Sequence, residues 1–120
     1  MKTYRDLIVW QKAMILVTMI YQKANSLPAE ERYGLISQLK RSAVSIPSNI
    51  AEGYGRNYRK DYLRFLKFAR GSLFESQTQI EIAVNLSLIE PNSIQELALL
   101  STEVEKMLNS LIRNLKQMDS

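Results

Sequence analysis

The sequence predicts an all-α protein, an antiparallel up-and-down four-helix bundle, on three observations. Apolar residues recur on steps of three and four in four separate segments. The breaks between those segments carry the Pro, Gly, Asn and Ser that stop and start helices. No β-type alternation longer than a few residues competes, and four Gly and three Pro among 120 residues are too few for a fold built on many tight turns. A chain of this length has room for one domain, residues 1–120, with one continuous core.

The first helix is expected over about residues 6–25, where Leu7, Trp10, Met14, Val17, Tyr21 and Ala24 form a stripe. Ser26-Leu27-Pro28 ends it, and Pro28 suits the first turn of a second helix over about 28–53, with Glu30 and Glu31 near its positive end. Its stripe is Ile36, Leu39, Ala43, Ile46 and Ile50, and Gly53-Tyr54-Gly55 offers a left-handed C-terminal glycine. Asn57 is the expected N-cap of a third helix over about 58–87, whose stripe is Tyr62, Leu66, Ala69, Leu73, Ser76, Ile80 and Ala83. After Pro91-Asn92, Ser93 with Glu96 reads as a capping box for a fourth helix over about 93–118. Its apolar steps run through Ile94, Leu97, Ser101, Val104, Leu108, Leu111, Leu115 and Met118.

Composition narrows function by exclusion. The chain has no Cys and no His, which removes disulfides, thiol nucleophiles, histidine-based triads and Cys/His zinc sites. An Asn49/Glu52 pair lacks a histidine or a second carboxylate to work with, so the expectation is no enzyme and no cofactor. The longest apolar run, Ala13 to Ile20, is too short to span a bilayer. A soluble, cytoplasmic protein with no membrane partner is expected.

Three features exceed a plain bundle. The first helix carries Ile8, Ile15, Leu16, Met19 and Ile20 off its stripe, and the fourth adds Leu99, Leu100, Met107 and Ile112. Helices apolar nearly all round are covered on two sides, so these residues predict a homo-oligomer interface, against the alternative that they only widen the core. Charge is also segregated. Residues 40–70 hold Lys40, Arg41, Arg56, Arg59, Lys60, Arg64, Lys67 and Arg70 against Glu52 and Asp61, whereas residues 71–100 hold four Glu and no Lys or Arg. Lys60, Arg64 and Lys67 share a helical face, with Tyr54 and Tyr58 nearby as stacking surfaces. Basic side chains with interleaved aromatics are the footprint of phosphate-backbone binding. The competing reading is a solvated face that balances acidic faces elsewhere. Finally, Pro47 lies inside a helical pattern among Ser42, Ser45 and Ser48, which predicts a kinked second helix with Arg41, Ser45, Ser48 and Glu52 on its polar face.

Asp6–Ala13, Tyr33–Arg56 with its block Ser45-Ile-Pro-Ser-Asn-Ile-Ala-Glu-Gly-Tyr-Gly-Arg56, Phe65-Leu66 and Ala69–Glu75 resemble the bacterial four helix bundle proteins, also called 23S ribosomal RNA intervening-sequence proteins. The resemblance runs through almost the whole chain. It implies an up-down bundle, a homopentamer and no enzymatic activity. Related accessory variability proteins of diversity-generating retroelements form positively charged pentamers that work with a reverse transcriptase and nucleic acid. The reading is therefore a non-catalytic oligomer that binds RNA or DNA through Arg56, Arg59, Lys60, Arg64, Lys67 and Arg70, with Tyr54 and Tyr58 stacking. The alternative is a structural or protein-interaction adaptor, for example for a reverse transcriptase.

Overall fold

The computed structural model describes residues 2–118. At its start Thr3 accepts a hydrogen bond from the Arg5 amide, while the Asp6 carboxylate accepts from the amides of Lys2 and Thr3. This capping box closes a 3-10 turn, Tyr4–Asp6, and holds the Asp6 carboxyl below its usual pKa, chiefly through the Thr3 amide. Helix α1, Ile8–Asn25, follows. Its buried residues are Val9, Ala13, Leu16, Ile20 and Ala24.

That stripe is rotated from the expected one. Met14 is 43% exposed, whereas Leu16 and Ile20, expected at an interface, are 0% and 1% exposed in the core. So many positions of α1 are apolar that two stripes satisfy the same steps. The buried one contains Ala13 and Ala24, whose small side chains let the neighbouring helices approach. Ile112, also expected as surplus, is buried, while Leu100 and Met107 are half-buried against the core.

The second helix begins later than residue 28. A 3-10 turn, Ala29–Glu31, leads into one wide π turn, Arg32–Ile36, and Glu31 turns back to accept from the Leu35 amide. The backbone leaves helical angles at Gly34, where a Cβ would lie 2.8 Å from the Glu31 carboxylate. Helix α2, Ser37–Tyr54, then runs through Pro47 as one helix, so the interruption falls at Gly34 and α2 itself is not broken at the proline. Neither Gly53 nor Gly55 is left-handed, and α2 ends with Gly55 still in the right-handed region.

Tyr58, extended, precedes helix α3, Arg59–Asn85, so Asn57 is not its cap. α3 ends on a left-handed residue, but that residue is Ser87 (φ 61°). The Leu88 amide bonds the Ala83 carbonyl and the Ser87 amide that of Val84, both at 2.9 Å, which makes a Schellman closure. Leu88 then packs on a small cluster of Leu27, Ala83 and Ile89. A 3-10 turn, Pro91–Ile94, introduces helix α4, Gln95–Gln117. The Ser93 hydroxyl donates to the Glu90 carbonyl, so the expected Ser93/Glu96 capping box does not form.

Each helix packs on two neighbours: α1 and α3 both lie against α2 and α4, forming a four-helix bundle 47 Å long and 24 Å wide. Cross-helix pairs run in opposite chain directions, Ser42 with Ser76 and Ser45 with Ser72, then Arg70 with Asn109 and Gln77 with Ser101. The expected stripes of α2 and α3 are the ones that pack, with Leu39, Ala43, Ile46, Ile50, Leu66, Ala69 and Leu73 at the centre. Between these two helices lies a seam of small polar residues. The Ser42 hydroxyl lies within hydrogen-bond distance of the Leu39 carbonyl, Gln79 Oε1 and the Ser76 hydroxyl, while Ser72 donates to Ser45. No buried side-chain polar atom among the described residues lacks a partner.

Candidate nucleic-acid interface

The N-terminal half of α3 turns its core side, Tyr62, Leu66 and Ala69, toward the bundle axis. Helical geometry then places Lys60, Arg64 and Lys67 on the opposite side, and all three are exposed. Lys60 and Lys67 make no ion pair or hydrogen bond among the described residues. Arg64 lies over the rings of Phe65 and Phe68, 5.0 and 5.7 Å from their centroids, with Asp61 at 3.7 Å. Arg56, just past the end of α2, also lies over Phe65, 4.7 Å from its centroid, and is paired with Glu52 at 2.7 Å. Phe65 and Phe68 pack edge-on to each other at 5.7 Å. The result is an aromatic shelf carrying two guanidinium groups, flanked by two solvated lysines. Aromatic contact orients each guanidinium, Glu52 and Asp61 engage one side of it, and the donors not so engaged remain available to a phosphate.

The other expected residues divide. Arg59 is exposed beside this face and also donates to the Met118 carbonyl, tying α3 to the end of α4. Arg70 is turned aside: it is half-buried and donates to Asn109 on α4 at 3.0 Å. Tyr58 is 72% exposed and open for stacking. Tyr54 is half-buried and packs edge-on against Tyr62 at 6.1 Å, so it is less open for stacking than Tyr58. Burial, and then the nearby Tyr54, push the Tyr62 hydroxyl up to about 12. The Phe65/Phe68 shelf was missed by reasoning on charge alone, although the four-residue spacing of Arg64 and Phe68 was a visible signal.

The Asn49 amide donates to the Ser45 carbonyl and hydroxyl, and Glu52 is paired with Arg56, so these two side chains serve the fold and the shelf. Among the described residues no three acidic side chains come together to hold a metal ion, and no helix is long and apolar enough to cross a membrane.

The expected interface residues also divide. Ile8 and Ile15 are exposed, joined by Met14, on the outer face of α1, while Met19 is half-buried against the core. Leu16 and Ile20 do not belong to this face. A second exposed apolar set, Phe68, Phe74, Ile82 and Leu86, follows the outer side of α3.

The model of the family described as 23S rRNA-intervening sequence protein matches residues 5–110. The chain belongs to that family. A crystal structure of a protein of unknown function from the S23 ribosomal protein family of Bacteroides thetaiotaomicron is similar in fold, with a TM-score of 0.81. It shares 25% sequence identity, and the match covers 88% of this chain and 96% of that one. No curated protein matches the sequence. The family and its neighbour agree with the helical bundle described above.

Proposed function

We propose that this member of the intervening-sequence family is a non-enzymatic, cytoplasmic homo-oligomer that binds nucleic acid, RNA in the first instance, through phosphate contacts. One observation carries the reading: Arg56, Lys60, Arg64 and Lys67 converge on one exposed face, two of them oriented by the Phe65/Phe68 shelf. The face is rich in donors, with Glu52 and Asp61 engaging part of the two guanidinium groups and with Phe68 and Tyr58 as exposed aromatics. Such a surface recognises a charged backbone and stacks on unpaired bases without reading sequence.

Oligomerisation is supported by where the exposed apolar residues lie. The outer face of α1 and the C-terminal part of the outer face of α3, with Phe74, Ile82 and Leu86, belong to helices that are diagonal in the bundle, since both pack on α2 and α4. Two different patches on opposite sides favour a heterologous contact, which closes into a ring when the rotation allows, in keeping with a pentamer. Each added protomer brings another cationic face to the same strand, and avidity multiplies a modest patch.

The test is the salt dependence of binding to a labelled single-stranded RNA. Each phosphate contact contributes a slope of about 0.7 in log affinity against log salt. Replacing Lys60, Arg64 and Lys67 with Ala removes about 2 from that slope if all three meet phosphates. The control, with Lys106, Arg113 and Lys116 replaced, keeps the wild-type slope. Equal losses in the two triple variants reduce the effect to net charge and refute a site; absence of salt-sensitive binding by the wild type refutes the reading altogether.

A further inference from the structure

The far half of the bundle carries the opposite charge and a different kind of surface. From residue 71 to residue 105 there are six glutamates, Glu75, Glu81, Glu90, Glu96, Glu103 and Glu105, and no Lys or Arg. Within this stretch α3 and α4 part to leave a groove of about 350 Å³. Its floor is apolar, built by Ile80, Val84, Ile94 and Leu97. Ala98, exposed and small, leaves the α4 wall low. The rim is acidic: Glu81 stands on the α3 side with no ion pair among the described residues, and Glu105 on the α4 side. Glu105 is held in place by Gln77, whose amide reaches both Glu105 at 3.1 Å and Ser101 at 2.9 Å and closes one end.

We infer that this groove is a docking site for a basic amphipathic helix of another protein. Charge decides the occupant. A nucleic acid or an anionic membrane surface meets carboxylates here and is repelled. The chain's own basic face on α3 does not fit as a second copy, because its outer positions 60, 64, 67 and 71 are Lys, Arg, Lys and Gly and offer no row of apolar knobs; the exposed α1 face of Ile8, Met14 and Ile15 is the second-copy occupant that the light-scattering outcome below tests. A helix with leucine-type anchors at i, i+4 and i+7 spans about 10 Å between its outer anchors. That matches the run of α3 from Gln77 to Val84, seven residues at about 1.5 Å each. Lysines or arginines flanking those anchors then reach Glu81 and Glu105. Helix-in-groove recognition of this type takes its affinity from the apolar row and its orientation from the rim charges.

The groove and the cationic shelf are set apart along the bundle, so the two ligands do not compete for the same surface. A basic partner held at one place and a phosphate backbone held at the other are brought together by the same rigid body.

The probe is a fluorescein-labelled, stapled helical peptide with leucines at i, i+4 and i+7 flanked by lysines. Two control peptides keep the leucines with glutamates as flanks, or keep the composition in scrambled order. Anisotropy titrations use the full chain as wild type, as Ala98→Trp to fill the groove, as Glu81→Lys to reverse the rim, and as Glu30→Lys for a distant acidic site. The expected result is saturable binding of the first peptide only, weakened about tenfold or more by Ala98→Trp and by Glu81→Lys, and unchanged by Glu30→Lys. Equal binding of the scrambled peptide, or equal loss in all three variants, overturns the inference in favour of diffuse charge attraction. No effect of Ala98→Trp overturns the groove. If Ala98→Trp instead lowers the oligomer mass in light scattering, the occupant is a second copy and the foreign-helix assignment falls.

Discussion

Gly53 and Gly71 make a paired experiment in which one substitution changes sign with position. Both lie inside helices, where replacing Gly by Ala ordinarily stabilises by about 0.5–1 kcal/mol through reduced backbone entropy. At Gly71 an added methyl meets nothing within 4 Å, so Gly71→Ala should show that full gain. At Gly53 the methyl lies 2.8 Å from the Phe65 Cβ, 3.1 Å from the Tyr62 ring and 3.3 Å from the Tyr62 carbonyl. A Cβ and a carbonyl are fixed to the α3 backbone, so no rotamer change relieves the contact and α2 must move off α3. Overpacking of this kind costs about 1–3 kcal/mol, which outweighs the entropic gain. Gly53→Ala should therefore be destabilised by up to about 2 kcal/mol, with Gly71→Ala on the other side of wild type. Urea unfolding followed by far-ultraviolet circular dichroism, at one fixed protein concentration, reads both midpoints. A Gly53→Ala protein as stable as wild type refutes the close approach of α2 and α3. A loss at Gly71 together with a lower oligomer mass places that residue in a subunit contact.

Three further outcomes follow from particular environments. Leu16→Ala should cost about 2–5 kcal/mol and Met14→Ala well under half of that, because the first side chain is fully buried and the second is largely exposed; equal costs by urea unfolding would restore the rotated stripe. Ile15→Glu places a charge on the exposed face of α1 and should yield smaller species in light scattering with an unchanged helical spectrum; an unaltered mass removes α1 from the subunit contact. Tyr62, raised to about 12 in the fold, stabilises fully below its unfolded value of about 10, and that contribution is lost as the pH rises through 12. Tyr62→Phe should lose less stability than wild type between pH 10 and 12, and parallel pH curves would refute the burial of the hydroxyl.

The legible parts of this fold are those where one periodicity excluded all others. α2 and α3 alternate small and branched apolar residues against charged ones, so Leu39, Ala43, Ile46, Ile50, Leu66, Ala69 and Leu73 had a single face to occupy. In α1 the same rule was indecisive, since Met14 and Leu16 both sit on apolar three-four rows and only packing against α2 and α4 selects between them. The ends were harder still. The left-handed closure expected at Gly53 or Gly55 after α2 is absent, and one that no glycine signals occurs at Ser87 after α3, where the turn lets Leu88 pack on Ala83 and Leu27. Charge segregation located the face of Lys60, Arg64 and Lys67, but the separation of Arg70 and Tyr54 from it depends on partners across the bundle, Asn109 and Tyr62, that no local spacing reveals.

The block from Ser45 to Arg56 reads, in three dimensions, as the device that brings α2 against α3 and so builds the cationic shelf. Ser45 accepts from Ser72 across the interface, and Asn49 turns back onto Ser45, so neither polar group asks for space of its own. Ile46 and Ile50 fill the core, and Pro47 is buried beside them. One turn later Gly53 leaves the gap into which the Phe65 Cβ and the Tyr62 carbonyl fit. That approach puts the Phe65 ring within reach of Arg56, which Glu52 steadies from the preceding turn of α2. Phe65 also supports Arg64, the residue before it in the sequence. Arg56 and Arg64 therefore share one ring only because Gly53 is small, and the stability and binding experiments become linked: Gly53→Ala should weaken RNA binding as well as the fold, and Phe65→Leu, which keeps the apolar contact but removes the π face, should weaken binding with less effect on stability. If Phe65→Leu leaves the salt slope and affinity unchanged, the shelf is packing alone, and the lysines carry the phosphate contacts without it.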